Sequence, residues 1–112
     1  MKLLAPELVH KDSRRSLSQL VTADLKQINI YATFKGELLG NHYHKETYEY
    51  FLIIKGSFEV DISGKRYVVK SQDFFVVEPL DKHTLKCLSP QGAFLTFLTR
   101  PYRMTDTDTY KE

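Results

Sequence analysis

Apolar and polar residues alternate with a period of two through most of the chain between Gln27 and Thr99. Successive side chains of a strand point to opposite faces, so this pattern reads as a series of strands. From Gln27 to Phe34, Ile28, Ile30, Ala32 and Phe34 share one face, and Gln27, Asn29, Tyr31 and Thr33 the other. Tyr48 to Lys55 is apolar or aromatic on both faces, which predicts a strand covered on both sides. Phe58, Val60 and Ile62 alternate with Ser57, Glu59 and Asp61; Ser63-Gly64 makes a hairpin turn and Lys65 to Lys70 returns. After a turn at Ser71-Gln72-Asp73, Phe74 to Glu78 is a strand stopped by Pro79. His83 to Leu88 is a short strand with His83, Leu85 and Cys87 on one face; Ser89 to Gly92 is a turn, and Ala93 to Thr99 is the last strong strand. Strands recurring about every ten residues, with turn signals between them, predict an all-β sandwich or barrel.

The ends lack this period. Residues 1–24 read as an N-terminal arm or edge segment, in which Leu3, Leu4, Leu8 and Val9 could form one helical face and Ser13 to Leu20 an edge segment or loop. Residues 25–100 form the barrel, and residues 101–112 a polar Thr/Asp-rich tail expected to fray. A chain of 112 residues makes one domain, large enough to hold a core without disulfide staples.

Charge narrows the partners. The net charge is +2 and the basic residues are spread out, with Arg14-Arg15 too short a cluster for a nucleic-acid or membrane surface. The one cysteine, Cys87, excludes an intrachain disulfide and fits a reducing compartment. No stretch reaches the roughly 18 apolar residues of a membrane span, and the first ten residues do not form a signal peptide. The expected location is therefore cytoplasmic.

The candidate chemistry lies between Gly36 and Gly56. His42 and His44 are two apart, so on a strand both imidazoles project from one face, roughly 6.5–7 Å apart along the backbone. Glu49 follows at an odd separation and would face away on an unbroken strand. The polar Lys45-Glu46-Thr47 predicts a chain reversal that resets the parity and returns Glu49 to the histidine face. His83, which begins a strand after a turn at Pro79, is the candidate fourth donor. Three imidazoles and a carboxylate suit a divalent transition metal: Zn, Fe, Mn, Ni or Cu.

These residues carry a family resemblance. The segment is similar to the first cupin motif, G-x5-H-x-H-x4-E-x6-G, at Gly36, His42, His44, Glu49 and Gly56. The second motif, G-x5-P-x-G-x2-H-x3-N, is matched at Pro79 and His83. Asp73 and Asp81 stand for its glycines, one residue fewer precedes His83, and Cys87 replaces the asparagine. The turn before His83 is therefore expected to be tighter than the family pattern. The resemblance spans Gln27 to Thr99 and implies a cupin-type jelly-roll β-barrel (a double-stranded β-helix) with a divalent metal on His42, His44, Glu49 and His83.

Cupins perform many reactions, so the resemblance leaves the activity open. One reading is a metal-dependent enzyme acting on a small oxygenated or carbonyl compound. Another is a non-catalytic module that binds a sugar or other small ligand. The segments K-D-S-R-R-S-L-S-Q-L and G-N-H-Y-H-K-E resemble cupins that modify sugar nucleotides, which implies a third reading, an isomerase or epimerase with His42 or His44 as base. Phe51 and Leu85 share faces with Glu49 and His83 and are expected to wall the ligand pocket. Cys87 shares the parity of His83 and is expected beside them, as a packed thiol or a reactive one. Tyr48, Tyr50, Leu52 and Ile54 make an apolar outer face that needs cover from the N-terminal arm or a second subunit; the expected assembly is a homodimer.

Overall fold

The structure is a computed structural model that describes residues 2–4, 7–14, 16–20, 24–100 and 108–111. Eleven strands are seen among them: β1 (Lys2–Leu3), β2 (Glu7–Lys11), β3 (Ser16–Gln19), β4 (Gln27–Phe34), β5 (Leu38–His42), β6 (Glu49–Lys55), β7 (Ser57–Ile62), β8 (Lys65–Lys70), β9 (Phe74–Val77), β10 (His83–Cys87) and β11 (Gln91–Leu98). They build a five-stranded sheet, ordered β1-β9-β6-β11-β4, and a four-stranded sheet, ordered β5-β10-β7-β8; β2 and β3 pair only with each other. All pairings are antiparallel. This is the expected all-β jelly roll.

The helical face considered for the first residues does not form. Lys2 and Leu3 instead extend the large sheet, opposite Val76 and Phe75, and Glu7–Lys11 is a strand of the separate hairpin.

Phe51, Ile53, Phe58, Val60, Phe75, Leu85 and Phe94 fill the space between the sheets. The period of two is obeyed on β7 and β11, whose alternate residues are buried. The expectation for β6 changes: Glu49, Phe51 and Ile53 are buried, but Tyr50 and Leu52 are only half-buried and Ile54 is exposed. The outer positions beside β9 are covered: Val76 and Phe74, which pair with Tyr50 and Leu52, are buried, and Tyr50 stacks on Phe74 at 6.0 Å.

On β4 the apolar face points outward. Ile28, Ile30 and Phe34 are 63%, 72% and 66% exposed, while Thr33 is buried and Tyr31 stacks on Phe94 at 4.8 Å. The face of β4 that carries Tyr31 and Thr33 is thus the one turned inward.

Candidate metal centre

His42 and His44 reach the interior by different routes. In the β5–β10 ladder His42 lies opposite His83, yet Gly40 lies opposite Thr84, so Asn41 is an extra residue, a β-bulge. Gly40 and Asn41 take φ of +93° and +63°. The bulge puts His42 on the same inward face as Leu39, three positions earlier, and bulges commonly re-aim a side chain in this way. Gly40 is also sterically required, because a Cβ there would sit 2.8 Å from the carbonyl oxygen of His83.

His44 lies past the end of β5, on the segment where the chain crosses from the small sheet to the large one. The reversal expected at residues 45–47 is this crossing, and Glu49 opens β6 in the other sheet with its side chain pointing in. His83 opens β10 after a shortened turn. Leu80 adopts φ +73° there, and its N–H donates to the His44 carbonyl at 2.6 Å. The turn is closed by the Asp81 N–H on the Glu78 carbonyl and by the Glu78 N–H on the Asp81 carboxylate. The missing residue is thus absorbed by a left-handed leucine, and His83 is 2% exposed.

One donor atom from each of His42, His44, Glu49 and His83 lies within 4.8 Å of the others. Glu49 Oε1 is 3.0 Å from His44 Nε2 and 3.5 Å from His83 Nε2. The imidazole of His42 packs edge-on to that of His83, with ring centres 4.6 Å apart. Two rings are fixed from behind. His44 Nδ1 is 2.7 Å from the carbonyl of Asp108, and His83 Nδ1 is 3.2 Å from the carbonyl of Asp81. A carbonyl only accepts, so in both cases Nδ1 carries the proton and Nε2 is turned to the cluster. Metal-binding histidines are commonly oriented by such a bond from the opposite nitrogen. Donors that bind at about 2 Å are brought onto one ion from these positions by small side-chain rotations; the residues present therefore fit a divalent metal.

The electrostatics of the metal-free cluster agree. Burial raises the pKa of Glu49, but hydrogen bonds from His44 and His83 outweigh it and hold the carboxyl at about 2. Burial lowers the pKa of His44, but its bonds to Glu49 and to the Asp108 carbonyl outweigh that and raise it. The charged form of His44 is therefore favoured, with its two ring nitrogens each facing an acceptor. For His42, burial, then the neighbouring His83 and His44, bring the pKa down to about 4.

The cluster lies between two cavities. A small one of about 40 Å³ is lined by Phe51 and Leu85 together with Tyr31, His42, Glu49, His83 and Phe94. A larger, open one of about 600 Å³ is lined by His42, His44, Glu49, Gln27, Asn29, Tyr31, Thr47, Arg100 and Thr109. Phe51 and Leu85 are thus beside the cluster. Cys87 lines neither cavity; it is buried in the core, with its thiol donating to the Ser89 carbonyl at 3.3 Å. It shares strand parity with His83, but two more residues along β10 carry it below the cavity floor.

The residue that sequence reasoning missed is Asp108. Its carboxylate accepts the N–H groups of Lys45 (3.1 Å), Glu46 (2.9 Å) and Thr47 (2.9 Å) and the hydroxyl of Thr47 (2.7 Å). Tyr110 forms a β-bridge with Tyr43, and their rings stack at 5.6 Å. The tail expected to fray is therefore tied down at Asp108–Lys111, while residues 101–107 lie outside the described residues. Sequence carries no spacing signal for a partner more than sixty residues away. Tyr31 and Arg100, both at the larger cavity, were likewise not singled out; burial, and then the Glu49 charge, raise the Tyr31 pKa.

Comparison with known proteins places this geometry. The sequence profile of the cupin domain matches residues 33–98. Quercetin 2,3-dioxygenase of Bacillus subtilis (strain 168) is 28% identical over 76 residues, which are 68% of this chain and 23% of that protein. Among solved structures, a 3,4-ketoisomerase from Helicobacter canadensis superposes with a TM-score of 0.83 at 18% identity, covering 99% of this chain and 90% of that one. The capsular polysaccharide assembling protein CapF from Staphylococcus aureus superposes with a TM-score of 0.74 at 19% identity, covering 96% of this chain but only 34% of CapF. The chain therefore spans about a quarter of the dioxygenase and a third of CapF.

Proposed function

This chain belongs to the cupin family, and on that premise we propose that it is a metal-dependent enzyme acting on a small oxygenated or carbonyl compound. The supporting observation is the cluster itself: four buried or half-buried donors within 4.8 Å, two of them with Nδ1 already committed to a backbone carbonyl. His42, His44, Glu49 and His83 would hold the ion. When bound, it would supply Lewis-acid polarisation of a substrate oxygen or, if it is iron, a site for oxygen chemistry.

The protein's own part is positioning and exclusion. Glu49, His44 and His83 are less than a tenth exposed, so the inner side of the centre is dry. Access is through the cavity of about 600 Å³, past Tyr31 and Asn29 on one wall and Thr47 and Arg100 on the other. Those groups offer hydroxyl, amide and guanidinium contacts to a polyoxygenated ligand, and Ile28, Ile30 and Leu98 offer apolar surface beside them.

The test is metal analysis of protein purified without a histidine tag, followed by His42→Ala and Glu49→Ala. A near-stoichiometric transition metal that both substitutions remove is the expected result; metal retained by both variants would overturn the assignment.

A second reading, a sugar-nucleotide isomerase that needs no metal, is favoured by a separate observation. His44 and Glu49 form a hydrogen-bonded pair facing the larger cavity, and the length-matched likeness to a 3,4-ketoisomerase is consistent with such a role. His44 would be the proton-transfer group. This reading expects activity that survives chelation and is lost in His44→Ala.

The proposal extends to a homodimer. Ile28, Ile30 and Phe34 are exposed on β4, an edge strand, and Ile54 lies on the same outer side of the sheet. A second copy is the occupant that would cover this apolar face.

A further inference from the structure

The segment from His44 to Glu49 carries two of the four donors, and its middle, residues 45–47, is held by the C-terminal tail. Lys45, Glu46 and Thr47 present three successive N–H groups to one carboxylate, that of Asp108, and Thr47 adds its hydroxyl. Successive N–H groups converging in this way form an anion-binding nest. Arg100 Nη1 stands 3.8 Å from the same carboxylate and 2.6 Å from Glu46 Oε2. Asp108 is 4% exposed and has φ +47°, a conformation that aspartate and asparagine tolerate better than most residues. Its carbonyl accepts from His44 Nδ1. One residue therefore binds the turn through its side chain and the imidazole through its backbone.

We propose that Asp108 is a positioning residue of the candidate metal centre, clamping the 45–47 turn with its carboxylate so that its carbonyl fixes the His44 ring with Nε2 toward Glu49. The inference rests on the metal reading of the cluster. Without the carboxylate, three N–H groups and the Thr47 hydroxyl lose their acceptor, and the 45–47 turn loses its direct bonds to the residue whose carbonyl meets His44. The neighbouring contacts reinforce the clamp: the Tyr43–Tyr110 bridge lies on one side, and the Lys45 ammonium sits over the Tyr110 ring at 4.3 Å.

The role separates from simple stabilisation by what each variant does to the ring. Asp108→Ala removes the acceptor for all four donors. Asp108→Asn keeps one oxygen, enough for the three donors that converge on Oδ2, and should restore most of the effect. Cobalt(II) titration of the full chain reads the centre, and ¹⁵N spectra of the imidazoles in metal-free protein read the ring. In wild type the His44 Nδ1 proton should be protected from solvent exchange. Asp108→Ala should lose that protection and bind cobalt about 10–100-fold more weakly, the usual effect of removing an outer-sphere partner, while remaining folded by circular dichroism.

A folded Asp108→Ala protein with wild-type cobalt affinity and a protected Nδ1 proton would overturn the proposal. If that variant does not fold, the wild-type spectrum decides: an unprotected or absent His44 Nδ1 proton overturns it. Wild-type protein that protects the proton but binds no cobalt would sink the metal reading and leave the orientation of His44 by Asp108 standing.

Discussion

His44 Nε2 and Glu49 Oε1 lie 3.0 Å apart, His44 on the crossing between the two sheets and Glu49 at the start of β6. Since Nδ1 of the same ring donates to a carbonyl and the carboxylate is ionised, something positive must sit between them: a proton in the metal-free protein, or a metal ion in its place.

Metal affinity should therefore depend on pH through His44. Its pKa is raised, so the metal-free form binds a proton that an ion must displace. Glu49 stays ionised down to about 2 and His42 neutral down to about 4, so neither competes near neutrality. Affinity should be flat above the His44 titration and fall about tenfold per pH unit below it. Calorimetric zinc titrations across this range, with proton release measured in buffers of different ionisation enthalpy, check the slope.

Glu49→Gln should abolish metal binding and destabilise the metal-free fold, because it removes the charge that the buried His44 imidazolium faces. Breaking a buried pair costs about 3–5 kcal/mol, and the isosteric amide should bring the loss below that. The sign of the pH dependence follows from the two shifts. The depressed Glu49 contributes stability that is present above its unfolded value of 4.5 and lost as pH falls toward about 2. The raised His44 contributes stability that is full below 6.5 and lost as pH rises through its folded value. The penalty of Glu49→Gln should thus be greatest between these limits, as urea unfolding of wild type and variant at several pH values will show.

Gly40→Ala tests the bulge. The new Cβ would meet the His83 carbonyl at 2.8 Å in a backbone with φ +93°. Strain of this kind costs about 1–3 kcal/mol. The variant should melt lower and bind metal more weakly, because relief of the clash moves His83 or unmakes the bulge that aims His42. Thermal melting with and without zinc separates the two effects.

Light scattering coupled to gel filtration should report twice the 13.1 kDa chain mass. Phe34→Lys, at a position 66% exposed on the same face and lining neither cavity, should shift the protein toward monomer without unfolding it. A monomeric wild type would end the homodimer proposal.

Much of the fold was legible because a strand with one buried face must write its period into the sequence. Phe58, Val60 and Ile62 on β7, and Phe94, Thr96 and Leu98 on β11, are buried in step with the pattern. On β4 the strand and its two faces were legible as well, but not that Ile28, Ile30 and Phe34 would face outward. Alternation reports two unlike faces but not which of them meets the interior; here Tyr31 is turned in and stacks on Phe94.

The chain alone determined that His42, His44, Glu49 and His83 should be sought together, because local spacing and a turn-like Lys45-Glu46-Thr47 constrain where side chains point within a strand or across a reversal. The tertiary structure decided how they meet. The Asn41 bulge turns His42 inward, and a left-handed Leu80 delivers His83 despite the missing residue. The carbonyl of Asp108 holds His44 by its far nitrogen. Each of these depends on atoms brought close by chain segments distant in sequence, and such proximity has no period to read.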